Sequence, residues 1–595
     1  MSIHNCISIH EKDVIRTLRM IKLSVLLWPY RKAIAFTLVL VFFQCMGDLF
    51  LPTLMADIVN NGISTGDTDY ILGTGAVMLL VALGGSACAI GSSFLSSRTA
   101  MGFGKNLRSG IFTRVSYFSL AEFDKIGTPS LITRSTNDVV QMQHVIMMIQ
   151  RALVSAPITA AGGMILALRM DMTLSWIIIA VIPVLGIFIG VVALKGFPLF
   201  QSIQKKIDRL NLILRENLTG IRVIRAFDRG TYEKKRFDEA NLDLMTVSVK
   251  VNRIFAMLMP AMMLVMNLTM VAILAFGSRR IGSGLSNVGN MMAFLSYAMQ
   301  ILFAFLMASM LFIMLPRAQA SAERINEVLD LPVDLTDPAD PVDAKAQMRG
   351  HVEFRHVTFS YPGAETPALR DISFSAKPGE TTAIIGSTGS GKSTLVSLIP
   401  RFYDTVEGEI LVDGVDVRHM TQKNLRSRIG YVPQKTVLFS GTVALNIRYG
   451  NEGASDGEMR KAAETAQALE FISTMEKGFD SPVSQGGTNV SGGQKQRLAI
   501  ARALVGKPGI YLFDDSFSAL DFKTDSLLRA ALHKETADAT VIIVGQRVAT
   551  IRGADRIIVL DEGAIAGMGT HRELYDSCPV YREIVLSQLT EEEMA

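Results

Sequence analysis

Charge-free apolar runs crowd the first half of the chain. They are Tyr70–Ser97, Ala152–Leu168, Met172–Leu194, Ile254–Gly277 and Leu285–Leu315, and a sixth, Ala33–Ala56, is broken only by Asp48. A helix needs about 20 apolar residues to cross the hydrocarbon core of a bilayer. The pattern therefore predicts six spanning helices, over 33–56, 70–97, 152–168, 172–194, 254–277 and 285–315. The third is near the shortest length the rule admits. Buried helices of a large soluble protein are the competing explanation. So many such runs within one half of a chain disfavour it.

The polar stretches between the runs are patterned too. Val139–Ile149 and Ile203–Leu214 read as amphipathic helices, so the spanning helices are expected to continue beyond the membrane. The tips of the two long loops, Arg98–Arg151 and Lys195–Arg253, are punctuated by Gly127-Thr128-Pro129 and Asp228-Arg229-Gly230, which suit turns. Both long loops are rich in Lys and Arg. So is the segment before the first span, with Lys12, Arg16, Arg19, Lys22, Arg31 and Lys32. The short loops Asn60–Asp69, Arg169–Asp171 and Ser278–Gly284 carry only Arg169, Arg279 and Arg280. The asymmetry predicts cytoplasmic termini and cytoplasmic long loops.

The period changes after a Pro- and Asp-rich linker at 331–347. Short β-branched runs, Thr382–Ile385, Ile510–Phe513, Val541–Val544 and Ile557–Leu560, then alternate with helical patterns. That alternation predicts an α/β domain over 348–595 with a largely parallel sheet. The expected architecture is thus an α-helical transmembrane domain over 1–330, opened by an N-terminal elbow, plus an α/β P-loop domain.

Composition agrees. Hydrophobic residues make up 49% of the chain and charged residues 19%, against about 25% charge in a typical soluble protein. A net charge of +4 over 595 residues gives no reason to expect a nucleic-acid partner. Cys6, Cys45, Cys88 and Cys578 show no CxxC spacing, so neither a disulfide framework nor a zinc site is expected. No basic–apolar–cleavage pattern of a signal peptide opens the chain.

The densest chemistry is Gly386-Ser387-Thr388-Gly389-Ser390-Gly391-Lys392-Ser393, which fits GxxxxGK[ST] between a strand and a helix beginning at Thr394. Glycines let backbone N–H groups wrap phosphates, and the helix N-terminus faces their charge. Lys392 is expected on the β- and γ-phosphates and Ser393 on Mg²⁺. The strand Ile510–Phe513 ends in Asp514-Asp515, and Asp514 is the expected magnesium carboxylate.

The order of these motifs resembles an ABC exporter half-transporter of the multidrug type. The most specific element is Val490-Ser491-Gly492-Gly493-Gln494, followed by Lys495-Gln496-Arg497, which is similar to the family signature LSGGQ. Tyr361 in FSYPG, Gln434 in YVPQ and Ser518-Ala519-Leu520-Asp521 match as well. The resemblance implies that ATP and Mg²⁺ bind this domain, with Thr394 completing the P-loop. It implies that Tyr361 stacks on adenine, that Gln434 touches Mg²⁺, and that Asp521 belongs to the D-loop. Two cassettes would dimerise head-to-tail, Ser491, Gly492, Gly493 and Gln494 facing the ATP of the other site. Ala121–Ser130 and Phe227–Arg236 resemble coupling helices that dock on the cassettes, with 220–227 leading into the second.

Two positions depart from the family. The water-polarising residue after the magnesium Asp is usually Glu and here is Asp515; the switch histidine is Gln546. One methylene withdraws the carboxylate by about 1.5 Å. Gln can hydrogen-bond a γ-phosphate but cannot carry its proton. Both losses fall on the site built on this chain's own P-loop. The pattern resembles the hydrolysis-impaired subunit of a heterodimeric exporter, whose partner supplies Glu and His. The expected function is ATP-driven export of hydrophobic or amphiphilic compounds across the cell membrane. A homodimer, a lipid or peptide exporter and an ATP-gated channel or sensory regulator remain open as alternatives. Asp48 inside the first span is a candidate ligand contact, and Asn267 and Gln300 are candidates for the cavity lining among the Met-rich last spans.

Overall fold

The computed structural model describes residues 25–342 and 349–588. Lys12, Arg16, Arg19, Lys22, Cys6 and the end of the linker lie outside the described residues. The chain forms two compact units. One comprises 1–114 and 129–330, the other 115–128 and 331–595.

The first unit is built from six long helices: Arg31–Asp57, Thr68–Ser116, Val154–Met170, Met172–Thr219, Gly230–Gly282 and Val288–Asp330. Among the described residues, five stretches are long and apolar enough to cross a membrane: Val25–Ile63, Thr68–Ser116, Thr128–Met170, Pro260–Gly282 and Val288–Ala308. The remaining helix contributes the apolar stretch Met172–Phe188. Four of the helices are 43 to 53 residues long, about twice what a bilayer needs.

The first helix buries Thr37, Val41, Cys45 and Leu49, one residue every four, which places them on one face. Leu49 of this stripe shares a core with Ala167, Leu174, Ile178, Phe294, Tyr297 and Ile301. Close approach depends on two glycines. A Cβ on Gly162 would stand 2.5 Å from Leu49 Cδ1, and one on Gly163 would stand 3.0 Å from Ile301 Cγ1.

Asp171 closes the short loop between the third and fourth of these helices. Its carboxylate accepts from Thr173 N at 2.9 Å and Leu174 N at 3.1 Å, and it pairs with Arg280 Nε at 2.7 Å. The side chain is nearly buried, so Asp171→Ala removes a cap and leaves Arg280 without its carboxylate. The expected cost is about 3 kcal/mol. The unfolding midpoint in detergent should drop by several degrees, and an unchanged midpoint contradicts this role.

The loop tips differ from their expected bounds. The first tip is the helix Leu120–Ile126, with a capping box between Ser119 and Glu122. It stops at Gly127, whose φ is +79°, and Thr128 already opens the next helix. Segment 115–128 clusters with the cassette rather than with the 1–330 helices. Glu122 Oε1 accepts from Asp334 N at 2.8 Å, tying the tip to the start of the linker. The second short helix is Ile221–Ala226, not 227–236. It lies between two breaks, Gly220 and the left-handed Asp228 (φ 49°), and the long helix resumes at Gly230. The β-branched run in 220–227 is thus the tip itself rather than its lead-in.

Among its described residues the second unit has twelve strands in three sheets. In chain order they are β1 Val352–Phe359, β2 Leu369–Ala376, β3 Thr381–Gly386, β4 Glu407–Val412, β5 Val415–Asp416, β6 Ile429–Val432, β7 Gly441–Thr442, β8 Pro482–Val483, β9 Ile510–Asp514, β10 Thr540–Val544, β11 Arg556–Asp561 and β12 Ala564–Gly569. An antiparallel sheet runs β2-β1-β4-β5, a six-stranded sheet runs β12-β11-β3-β10-β9-β6, and β7 pairs with β8. The six-stranded sheet is parallel except for β12. Both its faces are covered, which is why its strands are continuous apolar runs. Ile384, Leu512, Ile542 and Ile558 enter one core. Their neighbours Phe513 and Ile543 enter a second, and Ile385 and Val559 a third.

Candidate functional site

The Gly-rich loop leaves the C-terminal end of β3, where a parallel sheet presents its ligand crevice. Two of its glycines are sterically required. A Cβ on Gly386 would lie 2.1 Å from Leu560 O. Gly391 has φ +96° and caps the helix Lys392–Leu398. Ser387, Thr388, Gly389 and Ser390 form the turn between them. Lys392 is buried beneath this loop. Its Nζ donates to Ser387 O at 2.6 Å and Gly386 O at 3.0 Å. Burial pushes the Lys392 ammonium below its ordinary range, and Asp515 and Asp514 pull it back up. The result is a cation held by the carbonyl oxygens of its own loop.

Two carboxylates face it from the end of β9. Asp514 Oδ1 accepts from Ser393 Oγ at 2.9 Å. Burial pushes the Asp514 carboxyl up, and the Ser393 bond opposes it. A hydroxyl and a carboxylate side by side form an oxygen donor set that fits Mg²⁺. Asp515 follows in a left-handed backbone conformation, φ 47°, with its N–H on Val544 O. Its Oδ2 accepts from two amides, Gln546 Nε2 at 3.0 Å and Gln434 Nε2 at 3.3 Å. Burial pushes the Asp515 carboxyl up, while the Gln434 bond, Lys392 and Arg547 act the other way.

The two residues that depart from the family pattern are therefore in direct contact. Gln434, expected near Mg²⁺, is on the same carboxylate oxygen. Both neutral amides donate to Asp515, and neither can take a proton from it.

Tyr361 OH shares a hydrogen bond of 2.9 Å with Thr394 Oγ1. Its ring stands edge-on to Phe359 and Tyr403, with centroids 5.0 and 5.4 Å away, and stays 39% exposed. That leaves an aromatic face free for stacking.

Ser491 caps the helix Gly492–Leu504 with a capping box: its Oγ accepts from Gln494 N at 3.3 Å, and its N–H donates to Gln494 Oε1 at 2.9 Å. Gln494 is thus spent on its own helix. Gly492 and Gly493 keep backbone N–H groups with no acceptor among the described residues, at a positive helix end. Gln496 Oε1 accepts from Ala519 N at 3.3 Å, fastening this helix to the following loop. Asp521 caps the helix Phe522–Glu535 by accepting from Thr524 N at 3.0 Å.

In the membrane unit, Gln300 Nε2 donates to Asp48 O at 3.1 Å, so these two candidates meet across the first and last helices. Asn267 is exposed and has no hydrogen bond to either among the described residues.

One element had no sequence signal. Gln588, past the C-terminal helix Pro579–Leu586, accepts from Val548 N at 2.8 Å and donates to Gln546 O at 2.8 Å. A lone Gln in a polar tail fits no motif.

Comparison with known proteins matches residues 34–305 to the ABC transporter transmembrane region and 369–518 to the ABC transporter cassette. An uncharacterized ABC transporter ATP-binding protein of Mycobacterium tuberculosis is 46% identical, over 94% of this chain and 96% of its own length. A fatty acid ABC transporter ATP-binding/permease protein of Mycobacterium bovis is 34% identical, over 80% of this chain and 75% of its own. The structure of a bacterial Atm1-family ABC exporter with ATP bound superposes with a TM-score of 0.79 at 26% identity, covering 94% of this chain and 99% of that one.

Proposed function

The chain belongs to the ABC transporter family, as a transmembrane region fused to an ABC ATPase cassette, and from that premise we propose that it is the hydrolysis-impaired half of a heterodimeric exporter of hydrophobic or amphiphilic compounds. The contact that carries this reading is Gln546 Nε2 on Asp515 Oδ2. A Glu at 515 reaches further toward an attacking water, and a His at 546 passes a proton. Asp and Gln bonded to each other do neither.

The binding groups are complete by contrast. Lys392 and the loop N–H groups suit the β- and γ-phosphates, and Tyr361 suits the adenine. Ser393, Asp514 and Gln434 would hold Mg²⁺, which would supply charge neutralisation for the phosphates. This chain's site therefore grips ATP and cleaves it slowly. The partner half-transporter brings the catalytic Glu and switch His for the other site, which Ser491, Gly492 and Gly493 complete from this chain with backbone donors at a helix end. ATP favours the closed cassette pair over the open one, and cleavage at the partner's site resets it.

The cassette and both termini lie in the cytoplasm on this reading, because Lys and Arg concentrate in the long loops. Val223 in the second tip and Phe227 and Tyr232 just after it are exposed. The transported compound is an amphiphile. An acyl-chain substrate is favoured by the fatty acid transporter among the relatives, and a cationic amphiphile by Asp48. Inside-out vesicles carrying the pair are expected to accumulate a fluorescent amphiphile with ATP, and to lose both accumulation and ATPase when the partner's catalytic Glu is changed to Gln. Undiminished ATPase in that variant refutes the division of labour. Ion conductance without accumulation favours the channel reading.

A further inference from the structure

The switch segment is held from an unexpected side. Gln546 O and Val548 N, which flank Arg547, are both taken by one carboxamide, that of Gln588. Gln588 itself sits on a rigid base. Tyr581 and Val585 of the helix Pro579–Leu586 are fully buried in one core with Val548, Ile551 and Ile385. Tyr581 OH is further fixed to His571 Nδ1 at 2.7 Å. From the opposite side, Arg529 Nη1 donates to Ala549 O at 2.8 Å.

The acceptor half of Gln588 does what any cap does. The helix Val548–Ile551 has no side-chain cap of its own, and Val548 N is one of its orphan donors. The donor half has a different consequence. A helix cap has no need of a bond to Gln546 O. That bond fixes the peptide carrying the Gln546 side chain, whose Nε2 lies on Asp515.

We propose that Gln588 is a positioning residue for ATP cleavage at this chain's P-loop: by gripping the main chain on both sides of Arg547 it holds the Gln546 side chain on the Asp515 carboxylate. The chain's C-terminal segment is thereby wired to the switch position, and a displacement of that segment reaches Asp515 through two residues. The inference rests on the reading that Asp515 and Gln546 set the cleavage rate.

The test uses the full chain in lipid nanodiscs with two readouts. Hydrogen exchange is followed in wild type and Gln588→Ala. The variant is expected to exchange about 10-fold faster over 546–552, while the P-loop peptide and the helix Pro579–Leu586 are unchanged. ATP turnover is then measured in an Asp515→Glu background. There Gln588→Ala is expected to lower kcat about 3- to 10-fold with KM for ATP unchanged. Gln588→Glu separates positioning from capping. It keeps an acceptor for Val548 N but turns a second oxygen toward Gln546 O, so kcat is expected to fall as it does in the Ala variant.

Full kcat in Gln588→Glu alongside a loss in Gln588→Ala overturns the proposal in favour of a plain cap. Unchanged exchange over 546–552, or equal loosening of the C-terminal helix, overturns it as well. So does an unchanged kcat in both variants when Asp515→Glu has raised turnover. If Asp515→Glu does not raise turnover, the reading of Asp515 has failed, and the exchange result alone then decides whether Gln588 holds the switch segment.

Discussion

Replacing Asp515 by Glu together with Gln546 by His raises ATP turnover by the isolated chain about 10- to 100-fold. The argument is geometric. Asp515 Oδ2 is held by two amide donors, at 3.0 and 3.3 Å, and points at them rather than outward. The added methylene advances the carboxylate by about 1.5 Å. A displacement of that order decides whether a water is held in line for attack. The imidazole adds a group that can carry a proton near neutral pH. Because the two side chains touch, their effects are coupled: either change alone is expected to give less than its share of the double variant's gain. Asp tolerates a left-handed backbone better than Glu, so ATP affinity is measured alongside to show that the loop still folds. No gain in steady-state ATPase with intact ATP binding sinks the local explanation for slow cleavage.

Lys392→Ala has the opposite character and an effect of similar size. The ammonium is buried beneath the loop, with Asp514 and Asp515 nearby. Removing it takes away the charge that meets the phosphates and leaves two carboxylates facing a polyanion. A charge-assisted hydrogen bond in a partly buried site contributes about 1.5–3 kcal/mol, so ATP affinity is expected to fall at least about 100-fold when the like-charge term is added. Fluorescence titration with a MANT-labelled ATP reads this directly. The thermal midpoint without nucleotide should change little, because the bonds of Lys392 go only to its own loop. Retained affinity contradicts the assignment of this loop as the nucleotide site.

The strongest local signals in the sequence became structure with little change. Thr382–Ile385 and Ile510–Phe513 are strands because both faces of the sheet are covered, so every position selects an apolar or β-branched residue. The Gly-rich loop is legible because Gly386 and Gly391 admit no side chain. The spans are legible because a bilayer excludes charge over a fixed length. Tip positions were harder to place. Turn residues mark Asp228, but Gly220 breaks the chain earlier, and a six-residue helix has too short a period to show. The attachment of 115–128 to the cassette depends on Glu122 meeting Asp334, 212 residues away, which local pattern does not carry. The same holds at the site. The departures at 515 and 546 could each be read, yet their contact is a product of β9 and β10 lying side by side, Val544 opposite Asp514. Gln588 was invisible because a main-chain clamp needs only one amide at the right place. Asn267 is marked by its polarity alone, and no hydrogen bond joins it to Asp48 or Gln300 among the described residues.

The central claim is that ATP on this chain's P-loop outlasts many cycles of the assembled exporter. It is tested most directly by photolabelling the exporter during turnover with 8-azido-ATP carrying ³²P at either the α- or the γ-phosphate, then separating the subunits. The account predicts that this chain is labelled equally by both, since the nucleotide it holds is uncleaved, whereas the partner retains only the α-label. Loss of the γ-label from this chain at the rate of overall turnover would contradict it.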